Sequence, residues 1–225
     1  LNSFDNYNQF FNKWDDTRHQ YIFSGNGNGL YAYLDDQLYQ SNVQIELNEW
    51  THLAFTFNSD ENKGIFFVNG SNAYEFDTDP DIELGSSNIE LHIGGNSYTN
   101  AGYNSVNGLI DEVVFWDIVL SEGDIESFYN SNELLFEESI IGFWTFNEAS
   151  GDILNDISGN ENNGIIYGAE WSEGVPNPGF SGNILAYTSY TPIDELQDNS
   201  LYYWQVVAND LLGLSYTTPI QSFVV

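Results

Sequence analysis

Short apolar runs recur along the chain, and clusters of Gly, Asn, Asp and Ser separate them. In most runs apolar and polar residues alternate, which is the period of a half-buried β-strand. Short strands at regular spacing with turn residues between them predict a β-sandwich or barrel. The strands predicted in the first half of the chain are Gln20–Ser24, Gly29–Leu34, Val43–Leu47, Thr51–Asn58, Gly64–Val68, Asn72–Phe76, Ile89–Ile93 and Leu109–Trp116.

Two local patterns are sharper than the rest. The dipeptide Asn69-Gly70 between two β-type runs predicts a hairpin, because a type I′ turn needs positive φ at both central residues. One segment has helical spacing: Ser121 is a candidate cap with Asp124 three residues later, and apolar side chains follow at helical intervals. This helix is short and is predicted to cap the β-fold.

The pattern changes after the helix. Apolar residues resume at Ile140–Phe146, and the polar loop NDISGNENNG leads to a predicted strand near Ile165–Tyr167. The stretch SEGVPNPGFSG, rich in Pro and Gly, predicts a linker. Beyond it, strands are predicted again over Tyr187–Thr191, Leu201–Asn209 and Gln221–Val225.

Two blocks in the first part of the chain carry a family resemblance. They are NEWTHLAFTFNSDENKGIFFVNG and, some forty residues later, NGLIDEVVFWDIVLSEGDIESFYN. In this order they resemble a laminin G-like domain of the concanavalin A-like type, and the run from Ile141 to Pro176 is similar to the segment that closes such domains. The resemblance implies a jelly-roll sandwich over residues 1–175. The usual opening strands are missing, so a complete sandwich would need residues upstream of Leu1.

A second block, LQDNSLYYWQVVANDLLGLS, has Leu196 followed six residues later by Tyr202. This spacing resembles the tyrosine corner of fibronectin type III modules. The resemblance covers residues 184–225, about half of such a module of roughly 100 residues, with a linker at 176–183. The predicted fold class is therefore all-β: a concanavalin A-like jelly-roll sandwich with one short helix, then part of an immunoglobulin-like sandwich.

The net charge of the chain limits the classes of partner that it is expected to bind. The chain has 34 acidic and 3 basic side chains, a net charge of -31, which would repel nucleic acid and anionic lipid. Such a chain either lives at high ionic strength or binds divalent cations that neutralise part of the charge. It has no cysteine, which excludes disulfides and zinc-thiolate sites. We expect a secreted or cell-surface location, with the chain a piece of a larger exported bacterial protein and no membrane insertion.

The spacing of acidic residues does not predict an enzyme. Glycosidases need two carboxyl groups about 5–9.5 Å apart, but Asp111 and Glu112 would lie on opposite faces of a strand. Asp117 would share a face with Asp111 yet lie roughly 20 Å away, at about 3.3 Å per residue. The E-x-D-x-x-E string of the hydrolase relatives is absent.

One loop has the spacing of a metal site. Oxygen-bearing side chains alternate at Asp156, Ser158, Asn160 and Asn162, and Ca²⁺ is the ion that such ligands suit. The loop departs from the EF-hand pattern because Glu161 stands where glycine is needed. The alternative is an Asx-rich turn whose side chains bond their own backbone. Asp111 is a second candidate, either for a metal or for structural hydrogen bonding.

For a ligand, the long polar loop GGNSYTNAGYNSVNG presents Tyr98 and Tyr103. These side chains suit recognition, since each offers a stacking face and a polar tip, but they equally suit a loop that packs on its own sandwich. The predicted function is a non-catalytic carbohydrate- or protein-binding or adhesion module, with a polysaccharide or a cell-surface glycan or protein as partner. The alternatives are an accessory domain of a carbohydrate-active enzyme and a structural spacer.

Overall fold

A computed structural model describes residues 1, 8–15, 18–82, 84, 88–95, 105–131 and 134–172, together with the backbone of four short strands between 201 and 224. The chain divides into two units, Leu1–Gly182 and Asn183–Val225. The fold is mostly β with one short helix, as the alternation predicts, and the first unit is consistent with a jelly-roll sandwich.

The elements of the first unit follow the chain as antiparallel strands and one helix. The strands are β1 (Asn8–Asp15), β2 (Arg18–Asn26), β3 (Gly29–Leu34), β4 (Gln37–Gln40), β5 (Leu53–Asn58), β6 (Lys63–Val68), β7 (Ser71–Asp77), β8 (His92–Ile93), β9 (Val113–Trp116), β10 (Ile140–Trp144), β11 (Ile153–Leu154) and β12 (Gly164–Ile165). The helix α1 spans Glu122–Ser131, and a 3₁₀ turn at Glu137–Ser139 precedes β10.

Two sheets enclose the core. One has five strands in the order β4-β3-β2-β1-β8, and the other has three in the order β5-β6-β7. The ring of Phe23 on β2 stacks on that of Phe66 on β6, with centroids 5.5 Å apart. Both side chains are fully buried, and each contributes about 2–3 kcal/mol to folding. The other buried members of this core are Leu30, Ala32, Leu34, Ile45, Phe76 and Ile82.

The predicted hairpin at Asn69-Gly70 is confirmed. It joins β6 to β7, with φ of 50° at Asn69 and 76° at Gly70, the left-handed values of a type I′ turn. A Cβ added at Gly70 would lie 2.7 Å from Cδ1 of Tyr129 on α1. Glycine is therefore required here both for its φ and for the close approach of the helix.

The predicted helix and its cap are also confirmed. Ser121 accepts a hydrogen bond on Oγ from the Asp124 N–H at 3.2 Å, and the Asp124 carboxylate accepts one from the Ser121 N–H at 2.9 Å. This reciprocal pair is a capping box. Ile125 and Phe128 are the buried residues of α1. Ile125 packs in one cluster with Phe67 of β6, and this contact holds the helix on the outer side of the three-stranded sheet.

β10 continues the fold beyond the helix. It pairs antiparallel with β9, so that Trp144 lies opposite Val113 and Phe143 opposite Val114. The indole of Trp144 is buried and donates to the Asn162 carbonyl at 3.0 Å. β10 is thus the ladder partner of β9 within the described residues.

Three predicted strands needed correction. No strand forms over Val43–Leu47, where only Ile45 is buried; Leu30 N–H instead donates to the Val43 carbonyl outside any ladder. The strand predicted over Leu109–Trp116 begins at Val113, because Glu112 has a φ of 49° and interrupts it. The strand predicted over Ile89–Ile93 is reduced to its last two residues.

The second unit contains two antiparallel pairs. β13 (Leu201–Trp204) pairs with β16 (Gln221–Val224), and β14 (Val207–Asn209) pairs with β15 (Ser215–Thr217). The strand predicted over Tyr187–Thr191 and Leu196 of the tyrosine corner lie outside the described residues. The fibronectin type III resemblance of this unit stays a prediction.

Candidate functional site

The four residues of the predicted metal loop lie together between β11 and β12, and Asp156 is their centre. Asp156 is 9% exposed. Its Oδ1 accepts hydrogen bonds from the N–H groups of Phe143 and Ser158, each at 2.9 Å. Its Oδ2 accepts one from the Asn162 N–H, also at 2.9 Å. One carboxylate therefore joins the loop to β10 through three backbone amides.

These hydrogen bonds stabilise the ionised form of the Asp156 carboxylate. Burial alone would raise the pKa of Asp156, but the donors from Phe143, Ser158 and Asn162 outweigh it and lower that pKa below its usual value. Asp156 is therefore ionised at neutral pH, and the dipoles of three backbone N–H groups stabilise its negative charge.

The other three predicted ligands, Ser158, Asn160 and Asn162, make further hydrogen bonds. We call these three residues and Asp156 together the clasp. Asn160 donates through Nδ2 to the Ile140 carbonyl at 2.8 Å, and Asn162 donates to the Ile141 carbonyl at 2.7 Å. The Ser158 hydroxyl oxygen accepts from Asn160. The bonds of the Ser158 N–H to Asp156 and of the Asn160 N–H to Ser158 are local, as in an Asx-rich turn, whereas the side chains of Asn160 and Asn162 bind the backbone of β10.

The loop keeps one feature of a cation-binding turn. Glu161 has a φ of 60°, the left-handed conformation for which glycine is expected at this place. Within the described parts of the chain, no group of three or more His, Asp or Glu side chains is arranged to hold a metal ion. A calcium ion here would depend on Asp156 together with amide, hydroxyl and backbone oxygens, and calcium binding stays a prediction.

Asp111 is the second acidic residue with an unusual environment. It lies just before β9, and its Oδ1 accepts a hydrogen bond from the Glu112 N–H at 3.0 Å. Burial, and then the charge of Glu112, raise the pKa of Asp111 to about 6. Keeping the Asp111 carboxylate ionised in the folded state therefore costs free energy, because the single backbone donor does not offset its desolvation.

Substituting Asp111 tests that cost. Because the folded pKa lies above the usual 3.8, the stability that this group contributes is present at acid pH and is lost as pH rises through about 6. Asp111→Asn should raise the free energy of unfolding at pH 7 by about 1–2 kcal/mol, after allowance for partial exposure. Urea denaturation at pH 7 and at pH 4 checks this, since the gain in the free energy of unfolding should disappear at the lower pH.

The matched control is Asp117→Asn, at an exposed carboxylate just after β9. A loss of stability in Asp111→Asn at pH 7 would contradict the prediction.

Among the histidines, His52 is enclosed by aromatic rings. Its ring centroid lies 5.4 Å from that of Tyr129 and 6.2 Å from that of Phe128, both on α1. Burial lowers the pKa of His52 to about 4, so the imidazole is neutral at pH 7. The residue serves the packing of α1 on the sheet.

A polar strip on the five-stranded sheet was not predicted from the sequence. It consists of Gln9, Asn12 and Ser24, which face away from the core and are nevertheless buried, with exposures of 5%, 0% and 0%. The strip lies next to Tyr31 and Tyr33 on β3, because Ser24 is paired with Tyr31 and the neighbouring Ile22 with Tyr33. The only signal in the sequence is the alternation of Asn12, Ile22 and Ser24 with the core phenylalanines.

Asn12 lies at the centre of the polar strip. Its Nδ2 donates to Oε1 of Gln9 at 2.9 Å and to the Gly95 carbonyl at 2.6 Å. Its Oδ1 is buried and accepts no hydrogen bond from the residues that the structure describes. A buried amide oxygen without a donor is costly, by about 1–3 kcal/mol. The strip therefore contains one buried acceptor that is unsatisfied within the described residues.

The predicted ligand residues Tyr98 and Tyr103 lie outside the described residues. The ends of the segment that contains them are fixed to the five-stranded sheet. On one side Gly95 accepts the hydrogen bond from Asn12, and on the other the Asn107 N–H donates to Oδ1 of Asn8 at 3.3 Å. Gly95 and Asn107, which flank this loop, are thus both hydrogen-bonded to β1, a relation that the sequence does not show.

The family model of the concanavalin A-like lectin/glucanases superfamily, Laminin_G_3, matches residues 2–126. No curated protein matches the chain. Among solved structures, the chain is similar to a candidate carbohydrate-binding protein from Bacteroides ovatus ATCC 8483, with a TM-score of 0.56 and 17% identity over 72% of this chain and 48% of that one. It also matches residues 221–444 of an S-layer domain-containing protein from Clostridium thermocellum ATCC 27405, with a TM-score of 0.30 and 22% identity over 56% of this chain and 64% of that one. The chain spans about half the length of the first of these structures.

Proposed function

Since the chain belongs to the concanavalin A-like lectin/glucanase superfamily, we propose that it is a non-catalytic module that binds carbohydrate. The observation that carries the proposal is the polar strip, with Asn12 at its centre and the anchors of the Tyr98–Tyr103 loop beside it. Fold alone does not fix function, so the proposal rests on the polar chemistry of this buried strip and on the loop whose ends lie beside it. The similar structure from Bacteroides ovatus, described as a candidate carbohydrate-binding protein, supports the class of ligand.

The chemistry of the strip suits a neutral sugar. Sugar hydroxyl groups donate hydrogen bonds, and Oδ1 of Asn12 is an acceptor that the described residues leave unused. Tyrosine rings offer an apolar face with a polar tip. Acidic sugars are disfavoured, because the chain carries a net charge of -31 and the strip contains no basic side chain to pair with a carboxylate or sulfate.

The wider setting is part of the same proposal. We place the module in a multidomain exported protein, at the cell surface or in the medium. The large negative charge supports this, because it is best tolerated where salt or divalent cations screen it. The described part of the chain has no helix with the length and apolarity that a membrane crossing requires.

Binding to neutral polysaccharides tests the function. The double variant Tyr98→Ala with Tyr103→Ala should weaken binding about tenfold or more, since loss of stacking contacts worth about 1.4 kcal/mol changes affinity by that factor. The matched control is Tyr167→Ala, which removes a tyrosine that is 81% exposed. Titration calorimetry with soluble oligosaccharides, chosen by a glycan array, measures the affinities. Equal binding by both variants would show that Tyr98 and Tyr103 are not part of the binding site. The absence of any glycan binding by the native protein would favour a structural spacer.

A further inference from the structure

The two ends of the loop that contains both predicted ligand tyrosines meet at one place. The Val106 N–H donates to the Gly94 carbonyl at 2.8 Å. Beside this bond, Gly95 lies so close to Ser105 that a Cβ on Gly95 would be 2.9 Å from the Ser105 hydroxyl oxygen. We call the four residues Gly94, Gly95, Ser105 and Val106 the neck, because they join the two ends of the loop at its base.

The side chain of Asn12 binds the neck to β1. Its Nδ2 donates to the Gly95 carbonyl at 2.6 Å and to Oε1 of Gln9 at 2.9 Å. The backbone of β1 adds a second link, since the Gly94 N–H donates to the Phe10 carbonyl at 2.9 Å. β1 lies between β2 and β8 in the five-stranded sheet, and a strand of a sheet holds attached groups more precisely than a loop does.

Asparagine at position 12 reduces the stability of the fold. Asn12 is 0% exposed, and its Oδ1 accepts no hydrogen bond from the described residues. An apolar side chain of similar size would bury no unsatisfied oxygen of its own. Local choices that reduce stability are typical of functional sites. What the amide supplies in return is two N–H donors on one nitrogen, and these bind Gln9 and Gly95.

We propose that Asn12 is a positioning residue, which fixes the neck and so pre-organises the loop that presents Tyr98 and Tyr103 to carbohydrate. This inference rests on the proposed function, in which that loop takes part in binding. A loop that is fixed before binding loses less conformational entropy when the ligand arrives, so affinity rises without any contact between Asn12 and the sugar. A sugar hydroxyl that donates directly to Oδ1 of Asn12 is the competing role, and it predicts a different result in a mutant cycle.

Amide hydrogen exchange of the full chain without ligand, followed by NMR, tests the anchor by itself. Asn12→Leu fills a similar space but cannot donate a hydrogen bond. The amides of Gly94 and Val106 should therefore exchange about tenfold faster, because the neck opens locally more often. Asn12→Ser should have the same effect, since its hydroxyl stands at the place of the Asn12 Cγ and is too short to reach the neck. Unchanged exchange of both amides in both variants would overturn the proposal.

Ser41→Ala is the matched control. Ser41 is also buried, just after β4, and its hydroxyl donates to the Leu30 carbonyl at 2.8 Å within the same sheet. Asn12→Leu and Ser41→Ala should both lower the urea midpoint, because each leaves a buried carbonyl with one donor fewer. Only Asn12→Leu should change the exchange of Gly94 and Val106 and the affinity for glycan. An equal effect of Ser41→Ala on these two amides would show that they report global stability, and would overturn the proposal.

A mutant cycle tests the link between the neck and binding. Titration calorimetry with an oligosaccharide that the native protein binds should show about tenfold weaker binding by Asn12→Leu, since the loop must then be ordered at the expense of affinity. In a protein that already carries Tyr98→Ala and Tyr103→Ala, Asn12→Leu should weaken binding by less than about twofold, because the loop no longer contributes. Equal losses in both backgrounds would overturn the positioning role and assign a direct contact to Asn12.

The failure of this inference differs from the failure of the proposed function. If the native protein binds glycan and Asn12→Leu binds it equally well, only the positioning role of Asn12 fails. If the native protein binds no glycan at all, the proposed function fails and the positioning role fails with it.

Discussion

Asp156→Ala is expected to lower the free energy of unfolding by about 3–5 kcal/mol, because three backbone N–H groups lose a charged acceptor in a mostly buried place. Those donors belong to Phe143, Ser158 and Asn162, so the loss affects the loop and β10 together. Urea denaturation at pH 7 measures the change. The matched control is Asp152→Ala, an exposed aspartate in the turn before β11, which should change stability by less than about 0.5 kcal/mol.

The pH dependence follows from the same hydrogen bonds. The folded pKa of Asp156 lies below its usual value of 3.8, so its contribution is present at neutral pH and is lost as pH falls through that lowered pKa. The difference between native protein and Asp156→Ala should therefore shrink at strongly acidic pH. A difference of less than about 1 kcal/mol at pH 7 would contradict the role of Asp156 as the centre of the clasp, since each donor left unsatisfied costs about that much.

The same variant separates the structural clasp from a calcium site. A ligand that binds only the folded state raises the melting temperature as its concentration increases. If Asp156, Ser158, Asn160 and Asn162 bind Ca²⁺, millimolar calcium raises the melting temperature of the native protein relative to chelator and leaves Asp156→Ala unchanged. An equal melting temperature of the native protein in calcium and in chelator would exclude the metal and leave the clasp.

The second large effect is expected from salt. With a net charge of -31, the folded chain is destabilised by self-repulsion, which salt screens as the Debye length falls from about 30 Å at 0.01 M to about 3 Å at 1 M. We expect the melting temperature to rise by about 10 °C over this range, which corresponds to about 3 kcal/mol at about 2–4 °C per kcal/mol. Scanning calorimetry in sodium chloride measures it.

Calcium chloride at matched ionic strength is the comparison that identifies the cause. Pure screening gives equal melting temperatures in the two salts at equal ionic strength, whereas specific binding adds a further rise in calcium. A melting temperature that does not change with sodium chloride would contradict this expectation.

Some features followed from the sequence because they depend on neighbouring residues. The hairpin at Asn69-Gly70 requires two positive φ values that Asn and Gly adopt readily. The cap of α1 requires Ser121 and Asp124 at a fixed spacing. In both cases the energetic terms act within four residues, so the pattern alone was sufficient.

Other features failed in prediction because tertiary contacts override the pattern. β1 was not predicted, since its ladder with β2 shifts register at two places and both Phe10 and Phe11 pack against the core. A register shift breaks the alternation that a sequence pattern relies on. Val43–Leu47 alternates like a strand, yet it forms no ladder, because alternation shows which side chains are apolar and not whether a partner strand is adjacent.

The sequence by itself determined the mostly β class of the fold, the hairpin at Asn69-Gly70 and the cap of α1, and its net charge disfavours nucleic acid and anionic lipid as partners. It placed oxygen-bearing side chains at Asp156–Asn162, but only the tertiary structure showed that β10 supplies one of the amides that Asp156 binds. It also placed Asn12, Gly95 and Asn107 far apart, and folding brought them to one face. Short-range geometry and composition can be inferred from the order of residues. Contacts across a sandwich depend on how strands pair, and one chain's sequence does not specify that pairing locally.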